Sequence, residues 1–224
     1  MKKIFVKTKN IKAFIALATK LQNAKTNVPK MGLVYGAPGL GKTNAILWWA
    51  IKQDAIIITA KNGMTRRWFL ADLVTELGET PQRYSSDLFE QAAYKLISNP
   101  RMLIVDEVDY LASETNAVET IRDLHDRTGI PVLLVGMDTL DKKLSRYKHL
   151  FDRIVEIYHF TPFDLEDVRE IVTNLSEVQI NDDVIEMIYQ KANRFRQIVK
   201  LITKFENLAQ TNSYSLITKS ELGW

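Results

Sequence analysis

Gly36-Ala37-Pro38-Gly39-Leu40-Gly41-Lys42-Thr43 is a glycine, four intervening residues and then Gly-Lys-Thr, the spacing of a P-loop. The apolar run Met31 to Tyr35 precedes it and reads as a buried strand. Ala45 to Ile51 follows and reads as a helix. Strand, glycine-rich turn and helix form the context in which the pattern cradles phosphate. Glycines let the backbone curl so that successive N–H groups point at phosphate oxygens. The helix N-terminus adds the positive end of its dipole. Lys42 would reach the β- and γ-phosphates of a bound triphosphate, and the Thr43 hydroxyl would hold Mg²⁺. Gly36 through Thr43, together with Asn44 in the first helical turn, are therefore the expected nucleotide-binding residues.

Bulk properties narrow the class. The 224 residues are 46% hydrophobic and 25% charged, with a formal charge of +3. That is ordinary for a globular protein with one large or two small domains. The small positive charge permits nucleic-acid binding without indicating it. No apolar run approaches the ~20 residues of a membrane span. Lys7 and Lys9 interrupt any signal-peptide core after the basic start Met1-Lys2-Lys3. With no cysteine, disulfides and thiolate metal sites are excluded. A cytoplasmic protein of a bacterial or phage-infected cell, with no membrane partner, is expected.

Five strands are expected at 31–35, 55–59, 102–106, 132–136 and 153–158, mostly as continuous apolar runs. Such runs suit a parallel sheet buried on both faces. Helical spacing covers 8–22, 44–52, 65–77, 86–98 and 115–127, the last followed by Gly129 and Pro131. The result is an α/β three-layer core with a parallel five-stranded sheet over residues 1–160. Beyond Pro162 no strand is evident. Helices capped by Asp164 with Asp167, by Asn181 or Asp182, and a third from Arg196 to Ala209 make residues 161–224 a small all-helical domain.

Met102-Leu103-Ile104-Val105-Asp106-Glu107 is an apolar strand closed by two acids, the Walker B pattern. Ligands of open α/β sheets lie beyond the carboxyl ends of the strands. There Asp106 can join Thr43 around Mg²⁺, and Glu107 can orient or deprotonate the attacking water. The strand 132–136 runs into Asp138 and Thr139. Either could contact the γ-phosphate or the water, or Asp138 could hold a basic neighbour or cap a helix. Arg146 and Arg153, before the fifth strand, are candidates for stabilising charge on a neighbouring subunit's phosphoryl group. The alternative for each is a surface ion pair, with Asp152 or Glu156. Arg196 sits at a helix N-terminus, where a cation opposes the dipole unless it faces an anion. Lys61, Thr65, Arg66 and Arg67 offer hydroxyl, amide and cationic groups to a nucleic-acid backbone, or form a solvated face. His125, His149 and His159 have no metal-ligand spacing and read as structural or surface residues.

In this order the motifs resemble the AAA+ ATPases over nearly the whole chain, with a sensor-1 strand ending near Asp138, an arginine-finger region at 146–153 and a sensor-2 arginine at Arg196. Within that class, Tyr35 to Thr43, Val135-Gly136-Met137-Asp138 and the run 193–201 resemble the phage Mu transposition protein B group and other transposon target-selection ATPases. The resemblance implies ATP and Mg²⁺ bound between the sheet domain and the lid. It implies a self-assembled filament or ring on double-stranded DNA held without sequence preference, at Lys61, Thr65, Arg66 and Arg67. It implies a transposase partner and disassembly on hydrolysis, with Glu107, Lys42 and Arg153 or Arg146 in catalysis. Two departures accompany it. Too few residues precede Gly36 for that group's N-terminal helix-turn-helix module, and an acid replaces the usual Asn, Ser or Thr of sensor 1. A secretion-associated or protein-remodelling ATPase without a DNA role, and a replication helicase loader, share the same nucleotide motifs.

Overall fold

The fold is described from a computed structural model covering residues 1–2, 4–25 and 28–222. Five strands form one sheet: β1 (Met31–Gly36), β2 (Ile56–Thr59), β3 (Leu103–Asp106), β4 (Val132–Gly136) and β5 (Ile154–Phe160). Their order is β2-β3-β4-β1-β5, and every pairing is parallel. The apolar runs follow from this arrangement, because helices cover both faces of a parallel sheet. Every residue of β3 and β4 is buried. At the edge, β5 alternates instead, and Val155 and Ile157 are exposed.

One face of the sheet carries α3 (Arg66–Glu76), α4 (Ser85–Ser98) and α5 (Thr115–Thr128). Phe69, Leu73, Leu88, Leu96 and Ile121 pack there with Leu33, Ile58, Val105 and Leu134. The opposite face carries residues 13–22 of α1 (Lys9–Gln22) and α2 (Lys42–Gln53). Phe14 meets Trp49 edge-on there, ring centroids 6.2 Å apart. His125, on α5, is buried with Nδ1 2.8 Å from the Ile130 carbonyl, and burial lowers its pKa. Two short helices, α6 (Leu140–Leu144) and α7 (Lys148–Phe151), link β4 to β5. Neither was visible in the apolar pattern. β5 starts at Ile154, so Arg153 precedes the strand rather than opening it.

The chain divides into two compact units: Ala13–Gly36 with Lys42–Phe160, and Met1–Lys12 with Ala37–Gly41 and Thr161–Trp224. Residues 1–12 and 37–41, expected with the sheet, fall in the helical unit. Polar bonds account for the first segment. The Lys9 N–H donates to Asp167 Oδ1 at 2.8 Å and its ammonium to Asp164 Oδ2 at 2.8 Å. The Asn10 amide donates to the Thr161 carbonyl at 2.8 Å and accepts from the Thr161 N–H at 3.1 Å.

The helical unit contains α8 (Leu165–Leu175), α9 (Asp182–Lys191) and α10 (Phe195–Asn212). Ile198, Ile202, Phe205 and Ala209 form the buried stripe of α10 at helical spacing. Asn181 is the cap of α9. The unit is not purely helical: β6 (Gln179–Ile180) and β7 (Leu216–Ile217) pair in parallel. Two-residue strands are too short to carry a period-2 signal.

Asp164 accepts from the Asp167 N–H at 2.8 Å, and Asp167 Oδ2 accepts from the Asp164 N–H at 3.4 Å, which closes a capping box on α8. Asp164→Ala is expected to lower the unfolding free energy by about 1 kcal/mol, read as a lower urea midpoint at unchanged m-value. Lys9 and the Asp167 amide hold the Asp164 carboxyl below its ordinary range. Its stabilisation is thus complete at neutral pH and is lost as pH falls from about 3.9 through the depressed value. The stability difference between parent and variant should shrink in the same direction.

Candidate nucleotide-binding site

Two segments of the sheet unit meet at the carboxyl ends of its strands. Gly36 closes β1, and Lys42, Thr43 and Asn44 form the first turn of α2. The Lys42 ammonium donates to the Gly36 carbonyl across the turn. The Thr43 hydroxyl donates to Asp106 Oδ2 at 3.1 Å, which joins the start of α2 to the end of β3. The second Asp106 oxygen accepts from the Glu107 N–H at 2.9 Å. Burial raises the Asp106 pKa against the pull of these donors and of Lys42. Burial lowers the Lys42 pKa, opposed by Asp106, Asp138 and Asp109. A cation and a carboxylate are therefore both desolvated in one small volume.

Ala37 to Gly41 belong to the helical unit. Gly39 and Gly41 have φ of 85° and 93°, left-handed backbone that glycine adopts without a Cβ penalty. The Gly39 carbonyl accepts from the Phe195 N–H at 2.9 Å. A Cβ on Gly39 would lie 3.3 Å from Arg194 Cβ. So Arg194, to which sequence reading assigned no role, lies beside the loop apex. Arg196 is exposed in the first turn of α10.

Glu107 has φ 54° and ψ 36°, a left-handed conformation that costs a non-glycine residue on the order of 1–3 kcal/mol. The turn ends β3 abruptly and leaves the Glu107 side chain exposed. Asp138 is not the cap of α6, and its charge acts on Lys42. The cap position of α6 is Thr139, which makes no side-chain cap bond. Asp138 Oδ1 instead lies 3.1 Å from His159 Nε2, and that ring stacks on Tyr35 with centroids 4.8 Å apart. His159 is thus tied to the candidate site.

The basic candidates separate once partners are visible. Arg153 makes a two-pronged pair with Asp126, both contacts at 3.1 Å. Of the partners suggested by sequence proximity, Asp152 acts on Arg153 through its charge alongside Asp126, and Glu156 pairs with Lys20. Arg146 is exposed and has no ion pair among the described residues. Lys61 bonds Asp72 at 3.1 Å and lies over the Trp68 ring. Thr65 spends its hydroxyl capping α3, accepting from the Trp68 N–H at 3.2 Å. Arg67 Nε donates to the Arg83 carbonyl at 2.9 Å. Arg66 is exposed without such a bond among the described residues. Sequence spacing identified the cations but could not find Asp72, Arg83 or Asp126, which are distant in sequence or lie on another helix.

The donor set fits a magnesium nucleotide. A buried carboxylate and a hydroxyl are hard oxygen ligands of the kind Mg²⁺ takes alongside phosphate oxygens, and a partly buried ammonium lies beside them. Thr43 and Asp106 would hold the metal. Lys42 would hold phosphate.

Comparison with known proteins shows the family. The profile of the AAA domain family matches residues 26–144, over half the chain; the chain belongs to that family. A potential ATP-binding protein of Staphylococcus aureus is 24% identical over 65% of this chain and 54% of its own length. The Holliday junction branch migration complex subunit RuvB of Thermotoga petrophila is 24% identical over 89% of this chain and 59% of its own length. The chain therefore spans between half and two thirds of these relatives. Among solved structures, the Aeropyrum pernix ORC2 protein in its ADPNP-ADP complexes superposes over 99% of this chain and 68% of its own, with TM-score 0.69 and 16% identity. The fold is that of a P-loop AAA+ protein. No helix among the described residues is long and apolar enough to cross a membrane.

A buried carboxylate with a raised pKa contributes stability at low pH that is lost as pH rises through its folded value. At neutral pH the ionised Asp106 is thus a cost to the nucleotide-free protein. Asp106→Asn is expected to melt no lower than the parent without nucleotide. With Mg-ATP a hundredfold above its Kd, the parent should gain about 2.7 kcal/mol and the variant much less. Differential scanning fluorimetry with and without Mg-ATP reads both.

Proposed function

We propose that this chain is an Mg²⁺-dependent ATPase that assembles with its own copies on double-stranded DNA and delivers that DNA to a transposase, with hydrolysis loosening the assembly. The observation that carries the nucleotide half is the convergence of Lys42, Thr43 and Asp106 at the ends of β1 and β3. Lys42 would donate to terminal phosphate oxygens in place of the Gly36 carbonyl. Thr43 and Asp106 would face the metal, which when bound supplies charge neutralisation to the phosphates. Glu107, placed outside the strand by its left-handed turn, would accept a proton from water at its carboxylate. Arg146 is the better placed of the two finger candidates, because Arg153 would first have to leave Asp126.

The DNA half has different support. RuvB, 24% identical over 89% of this chain, is named for migrating Holliday junctions. The transposase partner rests on the likeness of Tyr35–Thr43 and of residues 193–201 to transposon target-selection ATPases. Arg66 is the readiest phosphate contact of its cluster, and Lys61 would have to exchange Asp72 for DNA.

The reading is tested by ATP turnover with and without duplex DNA, alongside negative-stain imaging with an ATP analogue. DNA-accelerated turnover and filaments or rings are expected. No DNA binding at low salt with ATP would instead favour a remodelling or secretion-associated ATPase. Glu107→Gln should bind ATP, turn over about a hundredfold more slowly or worse, and stay assembled; parental turnover would exclude Glu107 as the base. Arg66→Ala with Arg67→Ala should weaken DNA binding. It should also reduce the slope of log affinity against log salt by about two at most. An unchanged slope would remove this cluster from the interface.

A further inference from the structure

Asp109 has no place in the motifs read from the sequence, yet it is among the most constrained acids of the sheet unit. It lies in the 3-10 turn Val108–Tyr110 that follows Glu107. Its side chain is only 8% exposed. Oδ2 accepts from the Met137 N–H at 2.6 Å, and Oδ1 accepts from the Lys143 ammonium at 3.1 Å. The carboxylate thus crosses from the turn after β3 to the end of β4 and the start of α6. Its two flanks are the residues to which chemistry has been assigned here: Glu107 two positions before it, and Asp138 directly after its partner Met137.

The approach is close enough to dictate a second residue. A Cβ on Gly136 would lie 2.3 Å from Asp109 Oδ2 and 2.6 Å from Leu140 Cδ2. Only a residue without a side chain lets the carboxylate reach the Met137 amide. A charged acceptor on a backbone N–H makes a short, strong bond, and Lys143 supplies the counter-charge that a buried carboxylate requires. Glu107 is held in a conformation that its own backbone disfavours, so something outside the residue must hold the turn. Asp109 is the side chain that anchors that turn to the neighbouring strand.

We propose that Asp109 is a positioning residue for hydrolysis, fixing the Glu107 turn against the Met137–Asp138 end of β4. The inference rests on the ATPase reading above. It assigns Asp109 no contact with nucleotide, and Asp109 is the least of the three acids acting on Lys42, so its removal should change binding little and harm turnover. Misplacing a reacting group by about 1 Å can cost on the order of a hundredfold.

The experiment measures kcat for ATP and the Kd of a non-hydrolysable ATP analogue in the full chain, for the parent, Asp109→Asn and Asp109→Ala. Asp109→Ala should lower kcat about ten- to a hundredfold with Kd within about twofold. Asp109→Asn keeps an acceptor for the Met137 N–H but sets an amide against Lys143, and should fall between. Parental kcat in Asp109→Ala, or loss of binding in step with turnover, overturns the proposal. A general loss of folded protein would lower active concentration without this graded split of kcat from Kd. Should Asp109→Ala fail to fold, Gly136→Ala displaces the same carboxylate while keeping it in the chain, and the same split is expected; parental kcat there also overturns the proposal. A parent that binds the analogue but shows no turnover would refute the ATPase reading itself, and a parent that binds nothing would refute the nucleotide site.

Discussion

The hydrogen bond from Thr43 to Asp106 depends on the whole sheet. Thr43 opens the helix after β1, and Asp106 ends β3, with β4 between those strands. Parallel pairing is what brings their carboxyl ends to the same edge. Register decides which side chains arrive there. Val105 pairs with Leu134, and Leu134 with Leu33. A slip of one residue would turn Asp106 to the other face and bury a charge among the core helices. The same apolar side chains that stabilise the sheet therefore aim the acid.

Energy is held in reserve around that bond. Lys42 and Asp106 are both desolvated, and their pKa values move in the directions that penalise the charged forms. Glu107 adds backbone strain. Each feature costs stability in the protein alone and would be offset by a ligand that brings phosphate charge to Lys42 and a cation to Asp106. Sites of this kind break local rules that the rest of a fold obeys.

The sequence made the sheet legible because helices cover it on both faces, so each central strand is an unbroken apolar run. Lys42, Thr43, Asp106 and Glu107 were legible because each sits at a fixed offset from the end of such a run. Other features were not. β6 and β7 are too short for periodicity. The sequence offered Asp138 a phosphate or water contact, a basic neighbour or a helix cap, and gave no sign of His159, a β5 residue 21 positions away that lies against it. Asp126 and Asp72, the partners of Arg153 and Lys61, are set by helix packing. Asp109 carries no spacing signal, and packing alone brings it to Gly136 and Met137. Spacing along the chain reports what neighbours share, and these contacts depend on how separate elements pack.

The central claim is that Lys42, Thr43 and Asp106 together accept a magnesium-bound adenine nucleotide. Isothermal titration of the purified, folded chain with ATP, with and without Mg²⁺, measures it most directly. Saturable binding at one site per chain, strengthened by Mg²⁺, is the predicted result. A folded protein that takes up no nucleotide heat at any attainable concentration, with or without the metal, would contradict it.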